Sequence, residues 1–106
     1  RAEDLVEIGT GPLSLRLVAA GDTSRSLQLL HERYQPGADT GPEMLQHLGE
    51  EAGVVVEGCL TLTVGDLVWE LGPGDAYQFA STTPHRFQNL GTAPVVLVSA
   101  STPPTF

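Results

Sequence analysis

The sequence has little positive charge and almost no cysteine. It contains 5 lysine and arginine residues against 13 aspartate and glutamate residues, which gives a net charge of −8. Such an acidic surface repels phosphate backbones and argues against nucleic-acid binding by this chain alone. The single cysteine, Cys59, excludes an internal disulfide and agrees with a reducing compartment. No apolar run approaches the roughly 20 residues of a membrane-spanning helix, so we expect a cytoplasmic location and no membrane partner.

Helical periodicity is also almost absent, and only residues 1–8 are compatible with a helical turn. Apolar and polar residues instead alternate with a period of two, as at Leu13, Leu15 and Leu17, which is typical of half-buried strands. Turn residues separate eight such segments, at 13–17, 27–34, 52–56, 59–64, 67–71, 76–79, 85–89 and 95–99. Short strands at this spacing predict an all-β sandwich or barrel, and the 106 residues suit one domain spanning 1–106.

Two histidines and a glutamate stand out as candidate metal ligands. His47 and Glu51 are four residues apart, so both point the same way if the segment between them is extended. Glu50 then points elsewhere. His85 shares a strand face with Phe87, and a closed barrel could bring it opposite the first pair. Two imidazoles and a carboxylate suit first-row divalent metals, although a single histidine is more often a hydrogen-bonded or surface residue.

The same residues carry a family resemblance. The segment GPEMLQHLGEEAGVVVEG, residues 41–58, resembles the first cupin motif, and GDAYQFASTTPHRFQN, residues 74–89, resembles the second. The resemblance implies a cupin double-stranded β-helix, which is a jelly-roll barrel. Leu45 stands where the first motif has its first histidine, so the resemblance implies three metal ligands, His47, Glu51 and His85. It implies a divalent ion of unknown identity (zinc, iron, manganese or nickel), with Leu45 as an apolar wall.

A narrower resemblance concerns function. The segments YQPGADTG, HLGEEAGVVVEG and residues 84–106 resemble the sensor domain of helix-turn-helix transcriptional regulators of the Xre type. This resemblance implies a small-molecule effector, a homodimer, and DNA contact only through a domain absent from this chain. The start at Arg1 rather than methionine fits the C-terminal part of a longer regulator. The residues themselves suggest a ligand pocket that includes Leu45, Tyr34, Phe79 and Phe87, although aromatic residues on inward strand faces, such as the two phenylalanines, are usually part of the core.

Three functions therefore remain open. The first is an effector-binding domain of a bacterial transcriptional regulator. The second is a metal-dependent cupin enzyme, an oxygenase containing non-haem iron or an isomerase-like protein, and the third is a cupin without a working site. The sequence favours the first, because nothing in it places an acid–base residue such as Glu50 or Tyr77 beside the three ligands.

Two other residues have structural interpretations. Cys59 opens an apolar strand, and we expect a buried, inert thiol. His31 lies in a strand beside Glu32 and Arg33, and we expect it to be part of a polar face.

Overall fold

Strands make up most of the described chain. The computed structural model describes residues 6–8, 13–17, 26–40 and 46–103. Within these ranges the strands are β1 (Val6–Ile8), β2 (Leu13–Leu17), β3 (Gln28–Tyr34), β4 (Glu50–Glu57), β5 (Leu60–Val64), β6 (Leu67–Leu71), β7 (Ala76–Ala80), β8 (His85–Gln88) and β9 (Val95–Thr102). Each of the eight predicted strands is present, and the all-β expectation is confirmed.

The strands form two antiparallel sheets. One has six strands in the order β1-β2-β3-β9-β4-β7, and the other has three strands in the order β6-β5-β8. The prediction that residues 1–8 are compatible with a helical turn is wrong for Val6–Ile8. These three residues form a strand that pairs with β2 at the edge of the larger sheet. Among the residues that the structure describes, no helix has the length and apolar character needed to cross a membrane.

The apolar core lies between the two sheets, because strand residues alternate between the inner and outer faces. In β3, Leu30 and Tyr34 are buried whereas Leu29 and Arg33 are exposed. Strands of both sheets contribute to one buried cluster, which contains Tyr34, Ala38, Val55, Leu60, Leu62, Val64, Tyr77, Phe79, Phe87, Val95 and Leu97. Aromatic members of this cluster also contact the polar interior residues described below.

The expectation of a buried Cys59 is wrong, because the thiol is exposed. Strand β5 begins one residue later, at Leu60, and its inward residues are Leu60, Leu62 and Val64. Alternation along the strand direction therefore turns the side chain of Cys59 away from the core.

Candidate metal centre

Three side chains capable of binding a metal ion converge inside the barrel. One ligand atom from each of His47, Glu51 and His85 lies within 4.8 Å of the others. The imidazole rings of the two histidines meet edge-on, with their centroids 5.2 Å apart. Glu51 is on β4 of the larger sheet and His85 opens β8 of the smaller one, so the cluster spans the space between the sheets.

A turn at Gly49, rather than a continuous strand, brings His47 to Glu51. Strand β4 begins only at Glu50, and Gly49 has a φ of 105°, in the region that favours glycine. The segment from His47 to Glu51 is therefore not one extended strand, although both residues reach the same cluster. Glu50 is exposed, as expected, and its carboxylate accepts a hydrogen bond from Gln78.

Backbone hydrogen bonds hold His47 against the loop between β7 and β8. The His47 N–H donates to the Ser81 carbonyl at 2.9 Å, and the Ser81 N–H donates to the Gly49 carbonyl at 2.8 Å. The Gln46 side-chain amide donates to the Thr82 carbonyl at 2.8 Å. Because the same loop leads into His85, these bonds fix the relative positions of the two histidines.

His85 has a nitrogen atom that is buried and has no hydrogen-bond partner. Its Nδ1 lies 2.8 Å from the Thr83 carbonyl oxygen, which can only accept, so Nδ1 carries the proton and donates it. Nε2 is then an unprotonated acceptor, and no described group bonds to it. Burial lowers the pKa of His85 and favours this neutral form. A buried lone pair beside His47 and Glu51 is the arrangement that a divalent metal ion would satisfy.

Glu51 receives a hydrogen bond from a tyrosine that the sequence could not place. The Tyr77 hydroxyl donates to Oε2 of Glu51 at 3.1 Å. Gly53 lies opposite Tyr77 in the β4–β7 pairing, and a Cβ atom there would lie 2.5 Å from the hydroxyl oxygen. The absence of that atom leaves room for the tyrosine to reach Glu51. Burial raises the pKa of Glu51 to about 7, the nearby charge of Glu32 adds to the rise, and the Tyr77 bond opposes it.

Glu32 is a second interior carboxylate, which the sequence analysis did not identify as a site residue. Its side chain is only 6% exposed, and it accepts hydrogen bonds from the hydroxyls of Tyr34 and Ser99. Burial raises its pKa, and both hydroxyl bonds oppose the rise. The period-two alternation of β3 could have indicated that Glu32 is buried. Glu32 shares the inward face of the strand with Leu30 and Tyr34, whereas His31 does not.

Two of the three aromatic residues assigned to the pocket pack against His85, and the third packs against Phe87. Phe79 packs against the His85 ring with centroids 4.8 Å apart, and Phe87 meets it edge-on at 6.2 Å. Tyr34 stacks on Phe87 at 6.4 Å. All three aromatic residues are buried in the core cluster. Leu45, the fourth residue assigned to the pocket, lies outside the described residues.

The geometry defines an antiparallel barrel with a histidine and carboxylate cluster in its interior. The family model for the cupin domain matches residues 30–101, which is most of the chain. The chain therefore belongs to the cupin family, and the expected jelly-roll fold is confirmed.

Regulators are among its relatives. The chain is 39% identical over 104 residues to the HTH-type transcriptional regulator PuuR of Escherichia coli strain K12. The alignment covers 98% of this chain and 56% of that protein, so the chain spans little more than half the length of this relative. PuuR of Shigella flexneri matches with the same values.

Solved structures support the fold. The cupin domain of an XRE family transcriptional regulator from Enterobacter cloacae superposes with a TM-score of 0.77 at 23% identity, covering 89% of this chain and 99% of that one. An RmlC-like cupin from Shewanella frigidimarina gives a TM-score of 0.81 at 18% identity, covering 99% of this chain and 89% of that one. At these identities the likeness shows the fold alone.

The conformation of Gly49 predicts that a side chain at this position lowers both the stability of the chain and its affinity for a metal ion. In Gly49→Ala the new Cβ would collide with the carbonyl oxygen of Thr102, and the positive φ adds strain. We expect a stability loss of about 1–3 kcal/mol and at least about ten-fold weaker Zn²⁺ binding, because His47 must move. Gly72→Ala is the control, since the nearest atom to its new Cβ is 3.9 Å away. Calorimetric Zn²⁺ titration and thermal melts measure both effects. Native-like zinc affinity in Gly49→Ala would contradict this account of the turn.

The hydrogen bond from Tyr77 to Glu51 predicts that removal of the tyrosine hydroxyl weakens metal binding. Tyr77→Phe removes the hydrogen bond to Glu51 while keeping the ring, and we expect Zn²⁺ affinity to fall about ten-fold, as is usual when a ligand loses its outer partner. Tyr34→Phe removes a hydroxyl that bonds to Glu32 instead, so its zinc affinity should stay close to that of the unaltered chain. The same titration compares the two variants, and equal affinities would show that the Tyr77 hydroxyl does not support Glu51.

Proposed function

We propose that this chain is the effector-binding domain of a bacterial transcriptional regulator, with a divalent metal ion held by His47, Glu51 and His85. The observation that carries the metal assignment is the buried Nε2 atom of His85, which has no described hydrogen-bond partner and lies beside two other ligands. The regulator assignment is supported by 39% identity to PuuR over 98% of the chain. Zinc, iron, manganese and nickel all accept this mixture of nitrogen and oxygen ligands.

A small molecule would bind in the barrel interior beside the metal ion. With only three protein ligands, a divalent ion would retain an open position that binds an oxygen or nitrogen atom of a ligand. Phe79 and Phe87 supply apolar surface next to His85, and Tyr34 packs on Phe87. The proposed pocket also includes Leu45, which lies outside the described residues. Apolar walls with a few polar groups are typical of small-molecule sites.

The regulator would contact DNA through another part of a longer protein. The net charge of −8 disfavours direct contact between this chain and DNA, and the chain matches only 56% of the length of PuuR. We place the domain, spanning 1–106, in the C-terminal part of a cytoplasmic regulator that works as a homodimer. Effector binding would then favour one of two arrangements of the dimer and so change DNA affinity.

The metal proposal predicts about one divalent ion per chain. A His47→Ala, His85→Ala double variant should lose that ion, because a single carboxylate rarely retains a transition metal by itself. The matched control is His31→Ala, which alters the remaining histidine, a residue that points to the outer face of β3. Elemental analysis of the purified proteins gives the metal content directly. Unchanged content in the double variant would refute the assignment of the ligands.

The effector proposal predicts stabilisation by a small molecule. A ligand at 100 times its Kd should stabilise the chain by about 2.7 kcal/mol, which raises the Tm of a domain of this size by roughly 10 °C or more. A thermal-shift screen of metabolites from several chemical classes measures this. The shift should persist in His31→Ala and shrink in the double histidine variant. A compound that stabilises the double variant equally would bind outside the proposed site, and no stabilising compound in any class would count against a sensor.

A further inference from the structure

Glu32 is a buried carboxylate that lies outside the three candidate metal ligands. The buried polar residues that the structure describes include no arginine, and the chain contains no lysine. No described cation therefore forms an ion pair with Glu32. A charge that is buried without an opposite charge is costly, so an interior carboxylate of this kind calls for a positive partner.

Two hydroxyl groups connect Glu32 to the candidate ligand Glu51. The Ser99 hydroxyl donates to Oε2 of Glu32, and the Tyr77 hydroxyl donates to Oε2 of Glu51 at 3.1 Å. Strand pairing aligns Ser99 with Gly53 and Gly53 with Tyr77, so no side chain separates the two hydroxyls. Burial raises the pKa of Tyr77, and hydrogen bonding with Ser99 opposes that rise. A continuous polar path therefore runs from Glu32 to the metal ligands.

The charge of Glu32 acts on the same cluster. Burial is the main cause that raises the pKa of Glu51 to about 7, and the charge of Glu32 adds to the rise. It also adds to the rise in the pKa of Tyr77. Charges interact strongly across a desolvated interior. An interaction that disfavours a negative charge on Glu51 favours a positive ion at the same place.

A metal ion held by the three ligands alone would leave a net positive charge in the interior. A divalent ion carries two positive charges, and histidines that bind a metal ion are neutral. Glu51 supplies one negative charge. Glu32 would supply the second and bring the sum to zero, which a low-dielectric interior favours.

We propose that Glu32 is the second carboxylate of the metal centre, a positioning residue that balances the charge of the bound divalent ion from outside the ligand set. Ser99 holds one carboxylate oxygen toward the path that leads to Glu51. Tyr34 donates to the other oxygen, so its hydroxyl lies off this path. The inference rests on the proposed metal ion, and it is independent of the effector and of any contact with DNA.

Two substitutions at Glu32 separate its charge from its shape. Glu32→Gln keeps the size of the side chain and removes the charge, and we expect Zn²⁺ affinity to fall about ten-fold. Glu32→Asp keeps the charge and should stay within about three-fold of the native affinity. Glu50→Gln is the control, because it removes an equal charge from the exposed side of β4, where water and salt screen it. Calorimetric Zn²⁺ titration measures affinity, and circular dichroism checks folding.

The outcomes distinguish this inference from the metal proposal. Native affinity in Glu32→Gln would overturn the charge-balancing role. A greater loss in Glu32→Asp than in Glu32→Gln would also overturn it, because packing rather than charge would then be responsible. A native chain that binds no Zn²⁺ would overturn the metal proposal itself, and this inference with it.

A substitution at Ser99 tests the path and does not depend on the folding of the Glu32 variants. Ser99→Ala removes the hydroxyl that donates to Glu32, and we expect Zn²⁺ affinity to fall about three-fold. The double variant Glu32→Gln, Ser99→Ala should bind Zn²⁺ no more weakly than Glu32→Gln alone, because Ser99 acts by holding the charged carboxylate. Losses that multiply in the double variant would overturn the assignment of Ser99 to this path.

Discussion

The site depends on the hydrogen bond from Nδ1 of His85 to the Thr83 carbonyl. That bond fixes the tautomer, so the second nitrogen presents a lone pair to the interior. Burial with no described partner makes that lone pair costly unless something binds it. Phe79 and Phe87 pack against the His85 ring and restrict its orientation. The loop that contains Thr83 also positions His47, because the Ser81 carbonyl accepts a hydrogen bond from the His47 N–H. One short loop therefore positions both histidines.

The interior contains more acidity than a purely structural core would tolerate. Glu51 and Glu32 are both desolvated, and burial together with the charge of Glu32 raises the pKa of Glu51. Hydroxyls from Tyr77, Tyr34 and Ser99 offset part of that cost by donating to the carboxylates. A core built for stability alone would replace these groups with apolar ones. Their presence is consistent with an interior built to bind something.

The strands and the three candidate ligands could be predicted from the sequence, because they follow from residue periodicity and motif spacing. Features that depend on the backbone conformation of one residue or on a contact between distant strands could not. Alternation located the strands, because a strand has only two faces, and two separated motifs identified the three candidate ligands. The turn at Gly49 could not be predicted, since its left-handed conformation depends on contacts with Thr102 on a distant strand. Tyr77 reaches Glu51 only because Gly53 lies opposite it on the paired strand. The same alternation argument could have identified Glu32 as buried, because it shares a strand face with Leu30 and Tyr34.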